Sequence, residues 1–268
     1  MRAVGRLAGQ RVLVTGASAG IGAATARALA AEGAALALAA RRQELLTHVG
    51  KECEQAGAPD IHIYPVDLSD LAAAGQLASR ADDELGGLDA VVNNAGIPKR
   101  LNVRKLPFDD VEPVMRLNYL SPVRIMLTLI PRMLERGRGT FVNVGSVAGR
   151  IGSPQEAAYS GSKFALTGFT EAAAVDLAGT GVTFHLVQPG PIQTPIWDDL
   201  PGNDKPLYDG QMYPPEEVAD AVVSALSDSG RFEYFIPADL GRLVAYKAKN
   251  IDAFLTGVME HLEKTGGM

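Results

Sequence analysis

Short β-type runs alternate with helix-forming stretches along nearly the whole chain, and that rhythm leaves few folds open. The runs are RVLVT (11–15), ALALAA (35–40), IHIYPV (61–66), DAVVNN (89–94), TFVNVG (140–145), VTFHLVQ (182–188) and FEYFI (232–236). Helical stretches near 20–32, 43–56, 69–85, 109–135, 155–178 and 215–227 separate them. Strands so separated are joined by crossovers and pair in parallel. Several are apolar on both faces, which requires helices on both sides of the sheet. The stretch 109–135 contains Pro113, Pro122 and Pro131, so its helix is expected to start near Pro113 and to kink at the later prolines. No repeat or linker divides the 268 residues.

Two segments break the rhythm. Residues 189–215 are rich in proline and glycine and read as a long loop, with 195–213 a lid over a binding site. Residues 240–264 read as one amphipathic C-terminal helix that docks on the core or on a second subunit; lying on a membrane surface is the sharper alternative. The basic stretch PKRLNVRK (98–105) reads as a solvated loop rather than an anion site.

The net charge of −6 argues against nucleic acid as a partner. The single cysteine, Cys53, excludes an internal disulfide and any multi-thiolate metal site and reads as structural. His48, His62, His185 and His261 lack metal-ligand spacing, so no metal is expected. No apolar run reaches the length of a membrane span and no signal-peptide core opens the chain, so a cytoplasmic protein is expected.

Chemistry concentrates at strand ends. VLVTGASAGIGAATARALAAEG (12–33) runs strand, glycine turn, helix, with Gly16, Gly20 and Gly22 in G-x-x-x-G-x-G. Such glycines let a backbone turn tightly and approach a pyrophosphate, which the helix N-terminus then attracts. GASAG (16–20) also matches the nucleophile elbow of α/β-hydrolases, with Ser18 as nucleophile. Against an esterase stand the 15 preceding residues, too few for the earlier strands and oxyanion loop of that fold. The second strand ends in Ala40, Arg41 and Arg42, where an NAD site places a carboxylate on the ribose. A guanidinium there suits a 2′-phosphate, so NADP(H) fits better than NAD(H). Finally, AAYSGSKFALTGF (157–169) sets Tyr159 and Lys163 four apart on one helix face. A lysine so placed favours the ionised phenol; the bland alternative is a tyrosine packed on a lysine stem.

Together these residues resemble the short-chain dehydrogenase/reductases, in the branch of about 250 residues that prefers NADP. The likeness spans residues 8–195, and more loosely to about 236. It rests on T-G-A-S-A-G-I-G (15–22), D-L (67–68), N-N-A-G (93–96), Asn118, Ser146, Y-S-G-S-K (159–163) and P-G-P-I-Q-T (189–194). The resemblance implies a single doubly wound Rossmann-type α/β domain with a seven-stranded parallel sheet in the order 3-2-1-4-5-6-7. It implies hydride transfer between NADP(H) and a carbonyl/alcohol pair. Tyr159 would be the general acid/base, Lys163 would lower its pKa and hold the nicotinamide ribose, Ser146 would orient the substrate oxygen, and Asn118, on the fourth helix, would hold a relay water. Gly16, Ser18, Ala19, Gly20, Ile21 and Gly22 would border the pyrophosphate, Arg41 and Arg42 the 2′-phosphate, Asp67 and Leu68 the adenine. Asn94, Ala95, Gly96, Pro189, Gly190, Ile192 and Thr194 would line the rest, the last two binding the carboxamide. One departure is Ala19, where many NADP-preferring relatives carry a cation. A homodimer or homotetramer through the helices near 109–135 and 155–178 is implied too. Leu101, Leu106, Ile151, Ile196, Trp197, Leu200 and Met212 hint at an apolar substrate. The remaining alternative is a non-catalytic dinucleotide-binding protein.

Overall fold

The computed structural model describes residues 5–198, 200–208, 210–228 and 230–265. All seven β-type runs form strands: β1 (Arg11–Thr15), β2 (Ala35–Ala40), β3 (Ile61–Pro65), β4 (Ala90–Asn93), β5 (Gly139–Val144), β6 (Val182–Pro189) and β7 (Glu233–Ile236). They make one sheet in the order β3-β2-β1-β4-β5-β6-β7, every pair parallel. β1 sits between β2 and β4, with Val12 facing Leu36 on one side and Ala90 on the other. Val12, Leu13 and Val14 are wholly buried because helices cover both faces.

Helices α1 (Gly20–Ala31), α2 (Gln43–Ala56) and, later in the chain, the helix Pro215–Ser227 pack on one face around Leu29, Leu36, Leu46 and Val222. Helix α3 (Leu71–Glu84) packs on the other, with the helices Ser121–Arg136 and Ala157–Asp176, around Leu77, Phe141, Leu129 and Leu166. Cys53 lies in the first of these cores, where burial pushes its thiol up to about 12 and leaves it unreactive.

The proline-rich stretch differs from its expected form. Helix α4 (Phe108–Met115) begins five residues before Pro113, because Pro107 caps it and Asp109 and Asp110 suit the positive end of its dipole. Pro113 lies within it. A π-helical turn, Arg116–Leu120, then leads into α5 (Ser121–Arg136), whose Pro122 sits in the first turn, where a missing N–H costs no hydrogen bond. Beyond it come α6 (Ala157–Asp176) and α7 (Pro215–Ser227).

The C-terminal stretch is two helices, α8 (Leu240–Lys249) and α9 (Ile251–Thr265), not one. Asn250 between them is extended (φ −152°, ψ 87°), and its side chain accepts from Ala253 N at 3.0 Å, capping α9. Phe254 is buried. No described helix is long and apolar enough to cross a membrane.

Candidate active site

Parallel strands all point their C-terminal ends the same way, and the order reverses between β1 and β4, the place where doubly wound sheets open a crevice. A cleft of about 1180 Å³ lies there. Its floor is the β1–α1 turn. Gly16 has φ +67°, a conformation that favours glycine. Gly22 allows the turn to close, since a Cβ there would lie 2.2 Å from the carbonyl oxygen of Gly16. Ala19 supplies no side-chain cap to α1, and the first turn holds no carboxylate, which leaves that helix end suited to an anion.

Of the catalytic and cofactor-binding residues expected from the sequence, all but Gly22 and Asn118 line this cleft. Gly22 packs behind the turn. Arg41 and Arg42 stand exposed at the end of β2, with Arg42 Nη2 donating to Ser18 Oγ at 3.2 Å. The Ser18 hydroxyl is therefore held by a guanidinium, not by an imidazole base. Asp67 borders the same end, its Oδ1 accepting from the amide and hydroxyl of Ser69 at 2.9 and 2.8 Å. Across the turn, buried Thr15 accepts from the amides of Asn94 and Ala95 at 3.0 and 3.1 Å, and Asn94 Nδ2 donates to Thr15 O at 3.0 Å. These bonds pin the end of β4 to that of β1.

Ser146, Tyr159 and Lys163 meet on the other side. Ser146 follows β5, and its hydroxyl accepts from Ala148 N at 3.1 Å; it lines the same cleft as Tyr159. Tyr159 and Lys163 stand one turn apart on α6, with Lys163 Nζ 5.8 Å from the phenol ring centre. Lys163 is 4% exposed and donates to Val144 O at 2.9 Å. Asn118 sits in the π turn rather than on the fourth helix. Its Oδ1 accepts from Ile97 N at 2.9 Å, and its Nδ2 donates to Ile97 O at 3.0 Å and Ser162 Oγ at 3.1 Å. Asn118 thus ties the cleft wall to the helix that carries Tyr159. Sequence reasoning missed Gln188. Wholly buried on β6, it accepts from Ser146 N at 2.8 Å and donates to Thr167 and Glu233, fixing the backbone of Ser146. Spacing carries no signal for it.

The basic loop is solvated only in part: Arg104 and Lys105 are exposed, but Lys99 and Arg100 are not. Lys99 is 11% exposed and pairs with Asp110 at 2.8 Å; its Nζ also donates to Gly202 O at 2.8 Å. Arg100 is 3% exposed, and its two terminal nitrogens donate to Ile196 O and Asp198 O at 2.7 and 3.0 Å. These cations clamp the segment expected as a lid. Ile151, Ile196, Trp197 and Leu200 line the cleft as anticipated, whereas Leu101, Leu106 and Met212 do not. The C-terminal helices add Leu243, Phe254 and Val258, so one face of this tail roofs the cleft. Arg100→Met should release the clamp. Amide exchange at Trp197, Asn203 and Asp204 is expected to quicken, and unchanged rates would show that the lid is held by other contacts.

Residues 10–205 match the family model described as short chain dehydrogenase. The chain belongs to the short-chain dehydrogenases. It is 34% identical over 223 residues to the ketoacyl reductase HetN of Nostoc sp. (strain PCC 7120), covering 83% of this chain and 77% of that protein. It is 32% identical over 235 residues to the 3-oxoacyl-[acyl-carrier-protein] reductase FabG of Thermotoga maritima, covering 85% and 94%. Among solved structures, a metagenomic short-chain oxidoreductase in complex with NADP superposes with a TM-score of 0.74 at 30% identity, covering 86% of this chain and 97% of that one. Membership makes the chain an oxidoreductase of nucleotide-binding, Rossmann type.

In this short-chain dehydrogenase the electrostatics of the Tyr159 site differ from the simple expectation. Burial pushes the phenol well above its usual range, the Glu156 carboxylate pushes it further, and the Ser146 hydroxyl pulls it back. Burial pushes Lys163 down to about 8. Lys163 is anchored to Val144 and does not offset the burial of Tyr159. Glu156→Gln removes a negative charge that opposes the phenolate, so the Tyr159 pKa should fall. If the Tyr159 phenolate is the base in alcohol oxidation, the rising limb of that reaction's pH profile is expected to move to lower pH. An unmoved limb would mean that Glu156 does not act on Tyr159.

Proposed function

We propose that the chain transfers hydride between NADP(H) and a small-molecule carbonyl/alcohol pair, with Tyr159 as general acid/base. The observation that carries this is the meeting of Ser146, Tyr159 and Lys163 in the same cleft as the glycine turn of β1–α1. The cofactor supplies the hydride or takes it up. Gly16, Ser18, Ala19, Gly20 and Ile21 would hold its pyrophosphate, Arg41 and Arg42 its 2′-phosphate, and Asp67 and Leu68 its adenine. Asn94, Ala95, Gly96, Pro189, Gly190, Ile192 and Thr194 would frame the remainder. The NADP complex of the structural relative supports NADP(H) over NAD(H). Ser146 orients the substrate oxygen, and Tyr159 gives it a proton in reduction and takes one in oxidation. Lys163 lies one helical turn away to hold ribose hydroxyls and steady the phenolate. Gln188 and Asn118 position Ser146 and α6.

The cleft walls favour an apolar substrate. A screen of ketones with NADPH and of alcohols with NADP⁺ tests the reading: turnover in either direction supports it. Cofactor binding with no turnover across the screen would favour a non-catalytic dinucleotide-binding protein.

The reading extends to a cytoplasmic homodimer or homotetramer, supported by the exposed row Leu120, Leu127 and Leu134 along the π turn and α5, with Phe164 and Val175 on α6. Light scattering that gives a monomer mass at micromolar concentration would contradict the assembly.

A further inference from the structure

Beyond Tyr159 the cleft walls are apolar, but one corner is not. Arg100, Gln155 and Glu156 all line it. Leu101 N donates to Gln155 O at 2.6 Å, which joins the Arg100 loop to the start of α6, and the Glu156 carboxyl feels the charge of Arg100. Two atoms of this corner are shut off from solvent without a partner: Arg100 Nε, a donor, and Gln155 Oε1, an acceptor. The other two guanidinium nitrogens of Arg100 are taken by lid carbonyls. Gln155 is also the one non-glycine residue with positive φ among those described, at 63°. Such a conformation persists only where the surroundings impose it, and it is commonest at functional sites.

An unmet buried donor and an unmet buried acceptor are each costly. One ligand group satisfies both only if it accepts and donates. A hydroxyl does; a carboxylate has no proton to give, and an ammonium has no lone pair to accept with. The opposite charges of Arg100 and Glu156 leave the corner close to neutral, which also suits an uncharged group. The geometry points to Arg100, Gln155 and Glu156 as the polar end of the substrate site, which takes a hydroxyl group carried by an otherwise apolar substrate. Calling that ligand a substrate rests on the hydride-transfer reading above.

Trp197 is the only tryptophan in the chain and lines the cleft, so its fluorescence reports ligand binding without turnover. The probes are 2-decanone and a set of 2-decanones hydroxylated at successive chain carbons. At least one hydroxylated ketone is expected to bind about tenfold tighter than 2-decanone, the order seen when a buried polar group gains its partner. In Gln155→Leu that preference should shrink to within about threefold. No hydroxylated ketone binding tighter than its parent would overturn the assignment, as would a preference undiminished in Gln155→Leu. If that variant does not fold, the wild-type series decides alone. Turnover with NADPH is followed on the same ketones. A hydroxyl preference without any turnover would remove the hydride-transfer reading and leave the polar corner standing.

Discussion

Replacing Tyr159 by Phe is expected to lower kcat by about 10²–10⁴-fold, the worth of a positioned general acid, while leaving the fold and cofactor binding in place. The substitution keeps the ring and removes one oxygen. The ring's packing on α6 is unchanged, and Lys163 stays where it is because its anchor is Val144 O, not the phenol. What disappears is the hydroxyl that faces the cleft beside Ser146. The ketone oxygen then has no proton donor when hydride arrives, and Ser146 cannot replace it, since a serine hydroxyl is far too weak an acid near neutral pH. Circular dichroism and NADPH titration establish that the variant is folded and binds cofactor. A kcat above about a tenth of wild type on a good substrate would assign the proton transfer elsewhere.

The second large effect lies at the end of β2. Wild type is expected to favour NADPH over NADH by at least about tenfold in kcat/KM, since a charge-assisted contact to a phosphate contributes about 1.5–3 kcal/mol. Arg41 and Arg42 are both exposed, so solvent screening places the effect nearer the lower figure. Arg42 is steadied by Ser18, which lets it share the phosphate and makes the double variant Arg41→Ala/Arg42→Ala the informative one. It should lose the preference with NADH almost untouched. Ala40→Asp should go further. Ala40 is nearly buried at the strand end, and a carboxylate there repels the 2′-phosphate and offers the NADH ribose a bidentate acceptor. Kinetics with both cofactors at fixed ionic strength check this; a wild type that favours NADH, or a double variant that keeps its preference, would mean that the strand end binds something else.

What the sequence shows clearly is what local chemistry decides. Each strand buried on both faces advertises itself as an apolar run, and the glycines of the β1–α1 turn are there because a Cβ at Gly22 would strike the Gly16 carbonyl. Tyr159 and Lys163 are legible because helical spacing is fixed. What distant segments decide is not legible. Arg100 and Lys99 look like surface charges until the lid, some hundred residues on, presents carbonyls to them. Gln188 looks like an ordinary strand residue until Ser146 arrives beside it. The start of α4 is set upstream of Pro113, by Pro107 at the N-cap and by Asp109 and Asp110 in the first turn. The break at Asn250 is not legible because one capping residue interrupts an otherwise continuous amphipathic stretch. The tuning of Tyr159 was half visible: the sequence set Lys163 beside it, but not the Glu156 carboxylate or the burial that oppose ionisation.

Hydride transfer within this cleft is the central claim, and isotope tracing tests it most directly. A ketone that the protein reduces is incubated with each of the two stereoisomers of NADPH deuterated at the nicotinamide C4, and the product alcohol is analysed by mass spectrometry. The account expects one deuterium on the carbinol carbon from one stereoisomer and none from the other, since a cofactor held by the glycine turn and Lys163 presents a single face to the substrate. Alcohol without deuterium from both stereoisomers, or label from both equally, would contradict it.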